Sequence, residues 1–249
     1  VAARMIHGSR DASALGDASA LLFDLDGVLT PTAEVHMRAW ARLFAPVLEQ
    51  HGVAPYTDAD YFAHIDGKPR YDGVRSMLAA RGIELPEGEP GDAPEAETVH
   101  GLGNRKDLAF TAEIEEHGVE PYPGSVAFLD AAEASGLAVA VVTSSRNGRR
   151  VLQAAGLADR FETIVDGVHA AAHGLAGKPS PATYVEGAQL LGLGPERCVV
   201  VEDAHSGVAA GRAGGFLLTV GVDRGAGAES LLEHGADLVV DDLAELIDS

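Results

Sequence analysis

The chain has 249 residues, 46% hydrophobic and 22% charged, enough to bury a core and too apolar for a disordered or fibrous protein. Its 18 basic and 38 acidic residues leave a formal charge of −20, which repels phosphate backbones and anionic lipid and argues against nucleic-acid and membrane partners. A single cysteine, Cys198, excludes an internal disulfide; with no apolar leader in the first twenty residues, the expected setting is a reducing, cytoplasmic one.

Residues 1–18 read as a loose N-terminal extension. Residues 20–23 are an apolar run that ends in Asp24-Leu25-Asp26-Gly27, the pattern of a buried strand entering a turn. From 34 to 118 the rhythm changes. Helical periodicity covers 35–50, 71–81 and 105–117, and an acidic, proline-rich loop covers 84–97. Beyond 119, apolar runs at 137–142 and 198–201, with weaker ones at 163–165, 216–222 and 238–240, alternate with helical patterns over 126–135, 148–155, 181–191 and 206–213. Short β-branched strands alternating with helices predict βαβ units and a parallel sheet. The predicted fold class is therefore α/β: a Rossmann-like parallel sheet from residues 19–33 and 119–249, with an inserted all-helical cap over 34–118.

In an open parallel sheet, ligands bind at the carboxyl ends of the strands. Three predicted strands end there in reactive groups: Asp24 and Asp26, Thr143-Ser144-Ser145, and Glu202-Asp203. Lys178, in Gly177-Lys178-Pro179, precedes the helix that leads to the third. Each piece alone reads as a turn, a helix cap or a loop; their joint order is what points to chemistry. The acids Asp24, Asp26, Glu202 and Asp203 would repel one another unless a cation held them, and hard oxygen donors describe Mg²⁺. Acids, a cation, a lysine and hydroxyls make a phosphoryl-handling site. Asp24 is the candidate nucleophile, and Asp26 the candidate general acid and then base.

In this order the motifs resemble those of the haloacid-dehalogenase superfamily, from about residue 20 to the C-terminus. Asp24-Leu-Asp-Gly-Val-Leu-Thr30 is similar to its nucleophile motif, Thr143 to its hydroxyl motif, Lys178-Pro179 to its lysine motif and Glu202-Asp203 to its acidic metal motif. The resemblance implies Mg²⁺ held by the Asp24 carboxylate, the Asp26 carbonyl and Asp203, with Glu202 beside it, and a transferring phosphate held by Thr143, the Ser144 amide and Lys178. The branch it resembles most holds hexose-phosphate mutases and sugar-phosphate phosphatases. There Thr32-Ala-Glu-Val-His36 places His36 near the acid and base, and Ser145-Arg146-Asn147-Gly148 resembles a site for a second, non-transferring phosphate. Gly67-Lys-Pro-Arg70 is similar to a specificity loop with Arg70 as phosphate clamp. Asn104-Arg-Lys-Asp107 is similar to a sugar-contacting segment in which Lys106 is the matching residue and Asp107 stands where an amide is common.

The implied activity interconverts β-D-glucose 1-phosphate and glucose 6-phosphate through an aspartyl-phosphate and glucose 1,6-bisphosphate, acting on a small-molecule sugar phosphate as a monomer or weak homo-oligomer. A mutase must hold both phosphates of a bisphosphate, so it needs a second cationic subsite, for which Arg70 and Arg146 are candidates. A phosphatase using the same residues with water as acceptor, and a catalytically silent sugar-phosphate-binding module, stay open. Trp40 reads as cap core, Cys198 as inert packing, and His169 and His173 as metal-like in spacing but without a neighbouring acid in the sequence.

Overall fold

A computed structural model describes residues 7–8 and 12–247. Seven strands form one sheet: β1 (His7–Gly8), β2 (Ala20–Phe23), β3 (Ala138–Val142), β4 (Thr163–Val165), β5 (Cys198–Glu202), β6 (Leu218–Val222) and β7 (Leu238–Val240). Their order is β1-β7-β6-β5-β2-β3-β4, with β2 to β7 parallel and β1 antiparallel to β7. From β2 the chain runs outward through β3 and β4, then returns to the other side of β2 with β5. The sheet therefore reverses its winding between β2 and β5, which opens a crevice at their carboxyl ends. Register fixes what emerges there. Phe23 pairs with Val141 on one side and Val201 on the other, so Asp24 and Glu202 leave the sheet level with Val142, and Thr143 follows one residue beyond.

The chain divides into two compact units, Val1–Pro31 with Glu120–Ser249, and Thr32–Val119. The second contains α1 (Thr32–Gln50), α2 (Asp58–His64), α3 (Arg70–Ala80) and α4 (Val99–His117), around a core that includes Trp40, Phe44, Leu48, Met77 and Leu102. The first contains α5 (Pro123–Ala134), α6 (Gly148–Ala154), α7 (Gly167–Ala172), α8 (Ala182–Leu190), α9 (His205–Gly214) and α10 (Ala228–His234). Ala20, Leu22, Ala140, Val142, Cys198 and Val200 of its central strands pack with Tyr184 and Ala188 of α8. Every residue of β2, β5 and β6 is buried, as expected of parallel strands covered on both faces.

The structure departs from the sequence reading in four places. The extension is not wholly loose: β1 adds a strand to β7, and Ala12–Asp17 form a 3₁₀ turn. Three short helices, α2, α7 and α10, were not read from the sequence, although α6, seven residues long, was. Helix α4 starts at Val99, six residues before its predicted start, because Thr98 caps it by accepting the Gly101 N–H at 2.9 Å despite Gly101 and Gly103 in the first turns. The acidic loop over 84–97 has no regular structure but is tied to α4: Asn104 donates to the Pro90 and Asp92 carbonyls and Arg105 to that of Pro94. Among the described residues no helix is long and apolar enough to cross a membrane.

Candidate active site

Strand β2 delivers Asp24, whose N–H donates to the Val201 carbonyl at 2.9 Å, so the strand's ladder carries the residue one step beyond the sheet. The chain then turns tightly. Gly27 adopts φ +81°, and a Cβ there would lie 1.8 Å from the Asp203 carboxylate. Only glycine supplies both that backbone and that space. The Gly27 N–H donates to the Thr30 carbonyl at 2.7 Å, and Asp26 pairs with Thr30 across the mouth of the turn, two residues beyond Asp24.

Lys178 follows α7 and begins a cis Lys178–Pro179 bond. Its buried ammonium donates to Asp24 Oδ1 at 2.5 Å, to Glu202 Oε1 at 2.5 Å and to the Val142 carbonyl at 3.1 Å, using all three protons. Glu202 is wholly buried and shared: Oε1 also accepts the Tyr184 hydroxyl at 3.0 Å, and Oε2 accepts the Asp203 and Ala204 N–H groups at 3.0 Å. Gly207 makes room for it, since a Cβ there would overlap the carboxylate at 1.8 Å. Glu202 thus fixes both the lysine and the turn that presents Asp203.

Charge governs this corner. Burial pushes the Asp24 carboxyl well above the usual range; Glu202 and Asp26 push it further, and Lys178 opposes them. Burial alone would lower the Lys178 ammonium, but Asp24 and Glu202 outweigh it and hold it raised. Burial and then the Glu202 charge likewise raise the Tyr184 hydroxyl. Oxygens of Asp24, Glu202 and Asp203 lie within 4.8 Å of one another, the only three-carboxylate or histidine cluster of that kind among the described residues. Three carboxylates against one ammonium leave a net negative pocket of hard oxygens, a donor set that fits a small divalent cation.

Thr143 is buried at the end of β3, its hydroxyl accepting the Ser145 N–H at 3.1 Å. The Ser145 hydroxyl accepts the Asn147 N–H at 3.1 Å, and its carbonyl accepts the Gly167 N–H at 2.9 Å. Ser144 is half-buried beside them, and Arg146 is exposed with no ion pair among the described residues. The core residues named from sequence thus gather at one edge, with Asp24, Lys178, Glu202 and Asp203 in a single cluster.

The helical unit holds two separate polar pairs. Lys106 is 3% exposed; its ammonium hydrogen-bonds His36 Nδ1 and lies 4.6 Å from the Phe110 ring and 5.2 Å from that of Trp40, while His36 stacks on Phe110 at 3.9 Å. Trp40 is core, as its burial and stacking on Phe44 show, and it also faces the lysine. Arg70 Nη2 donates to Asp107 Oδ1 at 2.6 Å. Asn104 accepts the Tyr71 hydroxyl at 2.9 Å, a supporting contact. His169 does meet an acid, Glu186 at 2.9 Å, and stacks on His173, yet the pair joins no three-ligand cluster. Burial raises the Cys198 thiol to about 11, consistent with packing.

Two contributors escaped the sequence reading. Tyr184 sits six residues after Lys178 inside a helix, where nothing local distinguishes it from core. Arg224, which follows β6, donates from Nε to the Gly27 carbonyl at 2.9 Å, and its position just beyond a strand's carboxyl end was the available signal.

A doubly wound parallel sheet with a buried lysine and clustered carboxylates at its switch point defines an α/β enzyme that handles phosphoryl groups. The chain belongs to the haloacid dehalogenase-like hydrolase family, whose sequence profile matches residues 18–215. It is 48% identical over 239 residues to a β-phosphoglucomutase of Mycobacterium tuberculosis, covering 92% of this chain and 91% of that one. Against hexitol phosphatase A of Escherichia coli the identity is 33% over 197 residues, 78% of each chain. The crystal structure of a β-phosphoglucomutase from Clostridium difficile superposes with a TM-score of 0.74 at 25% identity, over 92% of this chain and 93% of that one.

Proposed function

We propose that the chain is a Mg²⁺-dependent β-phosphoglucomutase that interconverts β-D-glucose 1-phosphate and glucose 6-phosphate in the cytoplasm, as a monomer or weak homo-oligomer. The observation that carries the reading is the buried Lys178 bridging Asp24 and Glu202 beside Asp203. Asp24, the Asp26 carbonyl and Asp203 would hold the cation, with Glu202 supporting them, and Mg²⁺ would supply charge neutralisation for the carboxylates and the phosphate. Asp24, as the carboxylate, attacks phosphorus and becomes an aspartyl-phosphate as the bond to the sugar oxygen breaks; Lys178, and the cation when bound, oppose the burial that favours its protonated form. Asp26 protonates the departing sugar oxygen, then takes the proton from the hydroxyl that attacks the aspartyl-phosphate. Thr143, the Ser144 amide and Lys178 grip the moving phosphoryl oxygens. Arg146, Ser145 and Asn147 offer an anion site for the second phosphate, and His36, Lys106 and Arg70 are the residues assigned to the sugar phosphate in the helical unit.

The test offers β-glucose 1-phosphate with a trace of glucose 1,6-bisphosphate and measures glucose 6-phosphate against inorganic phosphate. Glucose 6-phosphate should dominate, depend on the bisphosphate, and vanish in Asp24→Ala. Predominant inorganic phosphate without bisphosphate dependence overturns the mutase reading in favour of a sugar-phosphate phosphatase. Two observations favour that second reading: the likeness to a hexitol phosphatase, and the engagement of Arg70 by Asp107. Binding of sugar phosphates with no turnover of any phosphoester would mark a silent module instead.

A further inference from the structure

Arg224 lies in the turn after β6, outside every motif so far assigned a role. Its Nε donates to the Gly27 carbonyl at 2.9 Å and its Nη1 to the Asp241 carbonyl at 3.0 Å, while the guanidinium lies 3.9 Å over the Tyr122 ring. One planar cation therefore joins three stretches far apart in sequence: the turn that carries Asp26, the segment leading into α5, and the end of β7.

The turn after β2 is held carbonyl by carbonyl. Leu25 accepts from the Leu29 and Thr30 N–H groups, Val28 accepts the Ser125 hydroxyl at 2.6 Å, and Leu29 accepts the Tyr122 N–H at 3.0 Å. Gly27, next to Asp26, has the most permissive backbone of the turn, and its carbonyl is held by a side chain, that of Arg224. The guanidinium's remaining nitrogen, Nη2, is buried with no hydrogen-bond partner among the described residues. A buried donor without a protein partner adds no stability, so packing alone does not account for a guanidinium here. What the guanidinium supplies is alignment: a fork of fixed geometry that donates to two carbonyls from over a ring, which an ammonium does not reproduce.

We propose that Arg224 is a positioning residue for phosphoryl transfer, fixing the Gly27 peptide and through it the orientation of Asp26 relative to Asp24. The inference rests on the reading of Asp24 and Asp26 as the reacting pair. Without Arg224 the Gly27–Val28 peptide turns on glycine's loose torsions and Asp26 moves with it, while the phosphate-gripping residues on β3 and around Lys178 stay where they are. The signature is a loss in kcat with substrate affinity retained.

The experiment compares wild type, Arg224→Ala and Arg224→Lys as full chains with Mg²⁺, on β-glucose 1-phosphate and on a small aryl phosphate. In Arg224→Ala, kcat should fall about 100-fold on both, the scale of an ångström-sized misplacement, with KM little changed. Guanidinium chloride, far below denaturing concentrations, should restore part of the lost kcat, and methylammonium should not. Wild-type kcat, a loss confined to KM, or a folded Arg224→Ala that guanidinium leaves unimproved would each overturn the assignment. Should Arg224→Ala fail to fold, Arg224→Lys decides: it keeps the charge without the fork, so a lower kcat at unchanged KM supports the role and a wild-type kcat refutes it. A wild-type protein that turns over no phosphoester would instead strike the phosphotransfer reading itself.

Discussion

At the scale of single residues, Asp107 is the departure with the most direct consequence. Arg70 suits a phosphate because its fork can grip two oxygens, yet here one of its nitrogens already faces a carboxylate at 2.6 Å. A phosphate bound to Arg70 must share the cation and tolerate a second anion nearby. Asp107→Asn keeps the side chain's shape and removes the charge. It should lower KM for glucose 1,6-bisphosphate roughly tenfold, as relief of about 1.4 kcal/mol of like-charge repulsion at close range would give. KM for a small aryl phosphate, which has no second phosphate, should move less; steady-state kinetics on the two substrates checks this, and a raised bisphosphate KM would show that Asp107 instead aims Arg70. The sequence exposes the substitution but not the ion pair, because Arg70 and Asp107 lie 37 positions apart.

At the scale of elements, legibility followed the apolar pattern more than length: the three-residue β4 and β7 were readable, while the seven-residue α2 was not. Strands β2, β3 and β5 were readable because they are continuous apolar runs, and α1 was readable through its period even with Pro46 inside it. Helix α2, seven residues long, was not, since its stability comes from its ends. Asp60 Oδ2 accepts from the Thr57 N–H at 2.8 Å and hydroxyl at 3.0 Å, and both its oxygens take the Arg81 guanidinium at 2.7 Å. Burial pushes the Asp60 carboxyl up, but the bonds from Arg81 and Thr57 outweigh it and leave it lowered. A carboxyl lowered by folding stabilises above its unfolded pKa of about 3.9, and that contribution is lost as pH falls through the folded value. Acidification below about pH 4 should therefore weaken the helical unit, and Asp60→Asn should remove that part of the dependence. Thermal melts of the two proteins between neutral and acid pH provide the comparison; identical pH profiles would discount the Asp60 contribution.

For the whole molecule, the sheet order and the motif order together made the core of the site legible: reactive residues that follow three strands must meet where those strands end. What sequence could not supply was how the corner is held, because the Tyr184 hydroxyl on Glu202 and the Arg224 fork on Gly27 join residues 18 and 197 positions apart. The same crowding of carboxylates, in a chain of net charge −20, predicts that a divalent cation stabilises the fold. Adding Mg²⁺ to chelator-treated protein should raise Tm by several degrees, since a ligand at 100 times its Kd contributes about 2.7 kcal/mol to the folded state. An unchanged Tm across a Mg²⁺ titration would mean that Asp24, Glu202 and Asp203 hold no ion. The outermost strand has a quieter role. By lying antiparallel on β7, the two residues His7–Gly8 occupy hydrogen-bonding groups that would otherwise face solvent in a row. A chain shortened past them would offer that row as a template to which neighbouring copies could add strand to strand, so its removal is expected to promote self-association.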